Sequence, residues 1–474
     1  MRSLATVAAA VLLAALLAGC AQGPKTSTST PTAPGGPATP MTFFVHDVGA
    51  KGPEPSIGVT SDGAIFFQAL EKTMKSSDGG NTWRNVNAPY SLPTTLDPFL
   101  WVDPVTDRVF ANQLYVACSY LTFSDDGGAT WLANPAACGT PANDHQKVTT
   151  GPYVEGSPLA LAATGHRNVY PNVVYYAVNG LADSRVAMSI DGGATFPFVA
   201  ESNPVDLPNQ ERPDCAAGLH GSITAAPDGT VYVPLRSACA GPKAKTSGGP
   251  VVARSLDNGL TWATTVVGGS VGTSDHDKNP ELGIDRNNTL YLAWPGGDNR
   301  LYLSHSADHG AGWSPPVLVT PELGTVTMPV VQAGSPGRIA IAYYGVDDRT
   351  ELAVPDKVNE TARWSLFVTY SLDALAEAPT FHTTKVTGDD PIQVGAISTN
   401  TGDAPAGSRN LLDFIDMVID RDGRAFVAFA DGCTSAACHA AGAKPTDSRD
   451  ALGTVAIAEG APSLYAEKGW LAPR

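Results

Sequence analysis

The stretch Ser124-Asp125-Asp126-Gly127-Gly128-Ala129-Thr130-Trp131 is one copy of a pattern, S-x-D-x-G-x-T-W, whose recurrence decides the fold. SSDGGNTW (76–83), SIDGGATF (189–196) and SLDNGLTW (255–262) repeat it. SADHGAGW (306–313) keeps it with Gly312 in place of Thr, and SLDA at 371–374 begins a decayed copy that reaches Thr380-Phe381. The aspartates fall at 78, 126, 191, 257, 308 and 373, so the repeat is 48 to 66 residues long. A period of that size marks a propeller or a solenoid. The residues describe a turn. Asp bonds nearby backbone amides, Gly accepts positive φ, and Thr-Trp starts a strand whose aromatic packs between sheets. Asp78, Asp126, Asp191, Asp257, Asp308 and Asp373 are therefore read as structural.

Working outward, a second hairpin precedes each copy. SIGVTSDGAIFFQAL (from Ser56) turns at Asp62-Gly63, and FLWVDPVTDRVFANQLY (from Phe99) turns at 104–107. Similar hairpins begin at Ser222, Glu281 and Val330. A less regular one covers HQKVTTGPY (from His145) and NVYPNVVYYAVN (from Asn168). The last, FIDMVIDRDGRAFVAFADG (from Phe414), lacks the motif and is followed by GTVAIAEG (from Gly453). Each hairpin plus the strands flanking the next motif makes four antiparallel strands, one propeller blade. The expectation is all-β: a single β-propeller of seven blades, with six as the alternative. A strand near 42–48 is expected to close the ring.

Composition agrees. With 48 Gly and 38 Pro in 474 residues the chain is too rich in turns for a helical bundle. Thirty Lys+Arg against 46 Asp+Glu give a net charge of −16. That balance disfavours nucleic acid, which needs a basic face. The N-terminus sets the compartment. Arg2 precedes an apolar run, 4–18, too short to span a bilayer comfortably, and Leu17-Ala18-Gly19-Cys20 resembles a bacterial lipoprotein processing box. The expected organisation is a signal peptide at 1–19, lipidated Cys20 with a flexible Ser/Thr/Pro/Gly tether through 41, and the propeller over 42–474. The protein is then lipid-anchored at the bacterial cell envelope and touches membrane only through the lipid. Six cysteines remain. Their positions suggest the disulfides 118–138, 215–239 and 433–438, linking Cys118 with Cys138, Cys215 with Cys239, and Cys433 with Cys438.

The S-x-D-x-G-x-T-W copies closely resemble the Asp boxes, or BNR repeats, of the sialidase superfamily. RNLLDFIDMVIDRDGRAFVAFADGC (409–433) resembles a recurring C-terminal blade of secreted microbial proteins labelled sialidase-like. The resemblance implies a propeller that binds, and in enzymes hydrolyses, extracellular carbohydrate, as an exo-sialidase-like glycoside hydrolase does. The Arg-Ile-Pro motif that sialidases carry before the first box is missing; GPEPSIGV stands there. The alternative is a non-catalytic scaffold holding an envelope protein. A monomer is expected in either case.

Loops leading into the innermost strands should meet at one face of the ring. They hold Glu54, Asp97, Asp144, His145, His220, Asp275, Asp277, Asn279, Glu281, Asn410, Asp413 and Asp416. Asp97, His145, His220, Asp277, Glu281, Asp413 and Asp416 are the candidates for acid–base chemistry. Arg212, Arg236, Arg300, Arg409 and Asn410 are candidates to hold a ligand. No cofactor is required. Calcium is the candidate on the alternating oxygens of Asp275, Asp277 and Asn279, although Pro280 stands where an EF-hand needs Gly, and His145, His220 and the acids could instead hold a divalent metal.

Overall fold

A computed structural model describes residues 41–88, 96–115, 118–134, 144–179, 184–202, 220–236, 249–268, 271–273, 280–398, 408–439 and 451–467. The signal segment, Cys20 and the tether through residue 40 lie outside these residues. Seven separate antiparallel sheets form a β-propeller. Each blade has four strands, A to D from the channel outward; the sixth adds a short fifth, Gln393–Val394, on its third strand. The A strands are Ser56–Val59, Leu96–Val102, Asp144–Gly151, Thr224–Ala225, Glu281–Ile284, Val326–Ala333 and Asp416–Ile419. They lie against one another around the central channel. The irregular third hairpin is a full blade, its A strand pairing with Val173–Asn179, so the six-blade alternative falls.

The ring closes through its first strand. Thr42–Lys51 pairs with Leu452–Glu459 from Thr42↔Glu459 to Asp47↔Thr454, supplying the outermost strand of the seventh blade.

Packing is organised between blades rather than within one centre. Seven apolar clusters fill the seven interfaces. Between blades 2 and 3, for example, Phe110 and Leu121 meet Val148 and Tyr176. This follows from strand alternation: each blade is apolar on both faces and covers its neighbours on either side.

The repeated turn joins C to D in the blades that carry it and also links the blades. In blade 2, Ser124 Oγ donates to Asp126 Oδ1 (2.9 Å), and Thr130 donates through N (2.8 Å) and Oγ1 (2.5 Å) to the same carboxylate. These bonds hold the Asp78 and Asp126 carboxyls down to about 2. Gly312 lacks the hydroxyl but keeps the amide bond to Asp308 Oδ1 (2.8 Å). The second glycine of the turn lies against the preceding blade. At Gly128 (φ 84°) a Cβ would sit 3.1 Å from Val86, and at Gly193 (φ 90°) 3.1 Å from Phe110. The preceding blade reaches back: Lys75 Nζ donates to Gly127 O (2.9 Å), Arg108 Nη1 to Gly192 O (2.7 Å) and Arg254 Nη1 to His309 O (2.9 Å).

Cys433 and Cys438 form a buried disulfide. The Cys118 side chain, Cys138, Cys215 and Cys239 lie outside the described residues. Among the described residues no helix is long and apolar enough to cross a membrane.

Candidate functional site

Each A strand ends in a turn whose first amide is closed by hydrogen bonding, at Thr60, Asp103, Ala226, Asp285, Gly334 and Asp420. In blade 3 the equivalent residue is Gly151, paired with Val173. Four residues back from these anchors, one layer of the channel reads Ser56, Phe99, Lys147, Ser222, Glu281, Val330 and Asp416. Two residues earlier the layer above reads Glu54, Asp97, His145, His220, Met328 and Phe414, with Asn279 outside the described residues. The A–B turns lie at the lower end.

The upper layer is built on strained backbone. Glu54, Asp97, His145 and Met328 all have φ between 47° and 55°. Register shifts mark bulges at Asp97, His145 and Met328. A bulge spends one residue to re-aim a side chain, here toward the axis. Adjacent blades are then joined by side chains. Glu54 Oε2 accepts from Asp97 N (3.0 Å), and Asp97 Oδ2 accepts from His145 N (3.4 Å). His145 Nε2 lies 3.8 Å from Asp413 Oδ2. Arg409 forks onto the same carboxylate, through Nη1 to Oδ1 and through Nη2 to Oδ2 (3.2 Å).

Asp97, His145 and Asp413 are all buried, and one ligand atom from each lies within 4.8 Å of the others. Two carboxylates and an imidazole do not supply the six to eight oxygens of a calcium site. They suit a transition metal better, but the Arg409 guanidinium already engages both oxygens of Asp413 and supplies the positive charge there.

The layer below centres on Lys147. Its Nζ sits 3.3 Å from the Phe414 ring centroid and 4.4 Å from that of Phe99. Burial lowers its pKa, against the pull of Glu281, Asp416, Glu54 and Asp97. Glu281 accepts from Ser222 N (3.0 and 3.1 Å), and Asp416 Oδ2 accepts from Ile57 N (3.0 Å). Each carboxyl thus reaches the innermost backbone of an adjacent blade. Both side chains are half-buried. The surface they keep faces a cavity of ≈ 360 Å³ in the channel rather than bulk water, and burial pushes both up to about 7. Trp101, Val105, Arg286 and Tyr465 form walls of that cavity lower down.

Of the remaining candidates, His220 stays in the upper layer, where Nδ1 pairs with Gly221 O (2.8 Å), and the others disperse: Asn410 donates to Gln393 Oε1 (2.9 Å). Arg236 follows the second strand of blade 4, and Arg300 lies in the turn before Leu301–Ser306. Arg212, Asp275, Asp277 and Asn279 lie outside the described residues. Lys147, Phe99, Phe414, Trp101 and Tyr465 were not anticipated from sequence. Counting four residues back from each A–B turn would have found Lys147, because it shares that register with Glu281 and Asp416.

No protein-family model matches the chain, and no curated protein does. Among solved structures it is similar to a protein of unknown function from Dyadobacter fermentans (11% identity, TM-score 0.41, covering 88% of this chain and 97% of that one). It is similar to the polysaccharide lyase Uly1 (9%, 0.47, 86% and 90%). It is also similar to an α-L-arabinanase of Penicillium chrysogenum solved with arabinobiose (12%, 0.40, 64% and 92%). Likeness at this distance carries no argument about chemistry, which rests on the channel residues.

Proposed function

We propose that the chain is exported, held at the bacterial cell envelope by a lipid on Cys20, and binds extracellular carbohydrate in its central channel. One observation carries the reading: a ≈ 360 Å³ cavity with Glu281 and Asp416 at its upper end and Trp101 and Tyr465 on its walls. Carboxyls accept from sugar hydroxyls, aromatic faces cover the apolar side of a sugar ring, and the volume lies within the ordinary range of ligand pockets. Among the described arginine candidates, Arg409 is committed to Asp413. Among the described residues the one guanidinium that lines the cavity is that of Arg286, low on its wall, so no arginine cluster stands beside Glu281 and Asp416 for a sialic acid carboxylate, and the reading is a neutral glycan.

Hydrolysis is the finer reading. A protonated carboxyl can donate to the leaving oxygen while an ionised partner acts as base or nucleophile. Glu281 and Asp416, both raised to about 7 by burial against the pull of the Lys147 charge, stand near the protonation balance that such a pair needs. Both carboxyls already accept an amide from a neighbouring blade, and this favours binding without cleavage as the second reading.

A glycan array and a panel of glycoside substrates on the mature protein separate them. Bound glycans whose affinity falls about tenfold or more in Glu281→Gln or Asp416→Asn support the channel. Product release lost in both variants adds catalysis. An array with no bound glycan removes the carbohydrate reading. Cys20→Ser should release the protein from the membrane fraction into the medium.

A further inference from the structure

We propose that the channel is a blind pocket open at the face of the A–B turns, and that it takes the terminal unit of a glycan rather than an internal stretch. The inference rests on the carbohydrate reading above and adds the face and the mode of binding.

Among the described residues, side chains fill the upper end. Glu54, Asp97, His145, His220, Met328 and Phe414 are each no more than 9% exposed. Directly beneath them Lys147, 3% exposed, lies against Phe99 and Phe414. The cavity starts below this plug. Its lining begins at the Glu281 and Asp416 layer and runs down the A strands to Val105, which stands 39% exposed on an A–B turn.

The mouth has a built wall. The segment after the last strand crosses the lower face of blades 7 and 6. Leu464 N donates to Gly423 O (2.9 Å), Ser335 N to Leu464 O (2.9 Å), Ala466 N to Ser335 Oγ (2.9 Å) and Arg338 Nη2 to Ser463 O (2.6 Å). These bonds fix Tyr465 between the two turns, on the cavity wall. A polymer lying across this face cannot thread a hole closed at its far end. Only a chain end can pass Tyr465 and reach Glu281 and Asp416.

The test has two arms on the mature protein. The first is an array carrying each glycan with its terminal unit free and capped, together with cyclic oligosaccharides that have no end. Capping should lower binding about tenfold or more, cyclic glycans should not bind, and Val105→Trp at the exposed mouth should lower binding without changing Tm. Capped or cyclic glycans bound as well as free-ended ones, or full binding by Val105→Trp, overturn the proposal. The second arm needs no glycan. Acetic anhydride followed by peptide mass spectrometry should modify Lys51 and Lys357 while sparing Lys147. Lys147 modified as fast as Lys357, in Val105→Trp as in the parent, means an open upper end and overturns the blind pocket. A silent array with Lys147 spared removes the glycan from both readings and leaves the closed upper end standing.

Discussion

A carboxyl that holds its proton more tightly in the folded chain than in the unfolded one favours folding at low pH. Glu281 and Asp416 are such groups, raised to about 7 from 4.5 and 3.8. Their contribution is fully present below the unfolded values and is lost as pH rises through 7. Glu281→Gln keeps an oxygen for the Ser222 amide and carries no charge. Relative to the parent, its unfolding free energy should therefore improve by about 1–3 kcal/mol between about pH 5 and pH 8. Urea denaturation at each pH reads this, and a flat difference would mean that Lys147 fully compensates the ionised acid. Arg409 provides the complementary case. Arg409→Met leaves Asp413 buried without its cation and should cost about 3–5 kcal/mol, most of it regained when Asp413→Asn is added. The register of Lys147 could be counted back from the turns, but neither its burial nor the Arg409–Asp413 fork was legible in the sequence. Lys147 follows His-Gln as an ordinary strand lysine would, and its acidic neighbours come from other blades. Burial of that kind is decided by partners distant in the chain, which no local pattern records.

At the scale of the element, the S-x-D-x-G turn could be read because its chemistry is local: Ser, Asp, Gly and Thr bond one another within a few residues. What the pattern did not reveal is that the turn is also a joint. Glycine is needed there both for positive φ and because the preceding blade leaves no room for a Cβ. Gly63, in an A–B turn, separates the two effects. It has φ 86° but nothing within 4 Å of its Cβ direction, whereas Gly193 has Phe110 at 3.1 Å. Gly63→Ala should cost about 1 kcal/mol from backbone strain alone. Gly193→Ala should cost roughly 1–3 kcal/mol more, because Phe110 must move. Equal losses in chemical denaturation would show that the joint gives way freely.

At the scale of the whole molecule, the blade count was legible because each blade spends one long repeat, and the seventh lacked a strand that only the chain's start could supply. Because the apolar clusters lie between blades, each of the seven depends on both neighbours. Removing residues 42–51 leaves the last sheet with three strands and bares the edge of Leu452–Glu459. Such a chain should unfold at lower temperature and self-associate through that edge, measured by calorimetry and by size-exclusion chromatography. A monomer with the parent's Tm would show that the other interfaces hold the ring alone.

The pairing that closes the ring also has a mechanical direction. Thr42 lies opposite Glu459, so the outer ends of the two locking strands are side by side. The segment beyond Glu459 is pinned by its bonds at Gly423 and Ser335, so a pull on the start of the chain loads the Thr42 end alone. Strands loaded at a shared end come apart pair by pair, like a zipper, instead of shearing all at once. A chain held by its first residues would therefore carry any tension at the seam that closes the ring, and the force that opens it would be set by a single strand pair and not by the stability of seven blades.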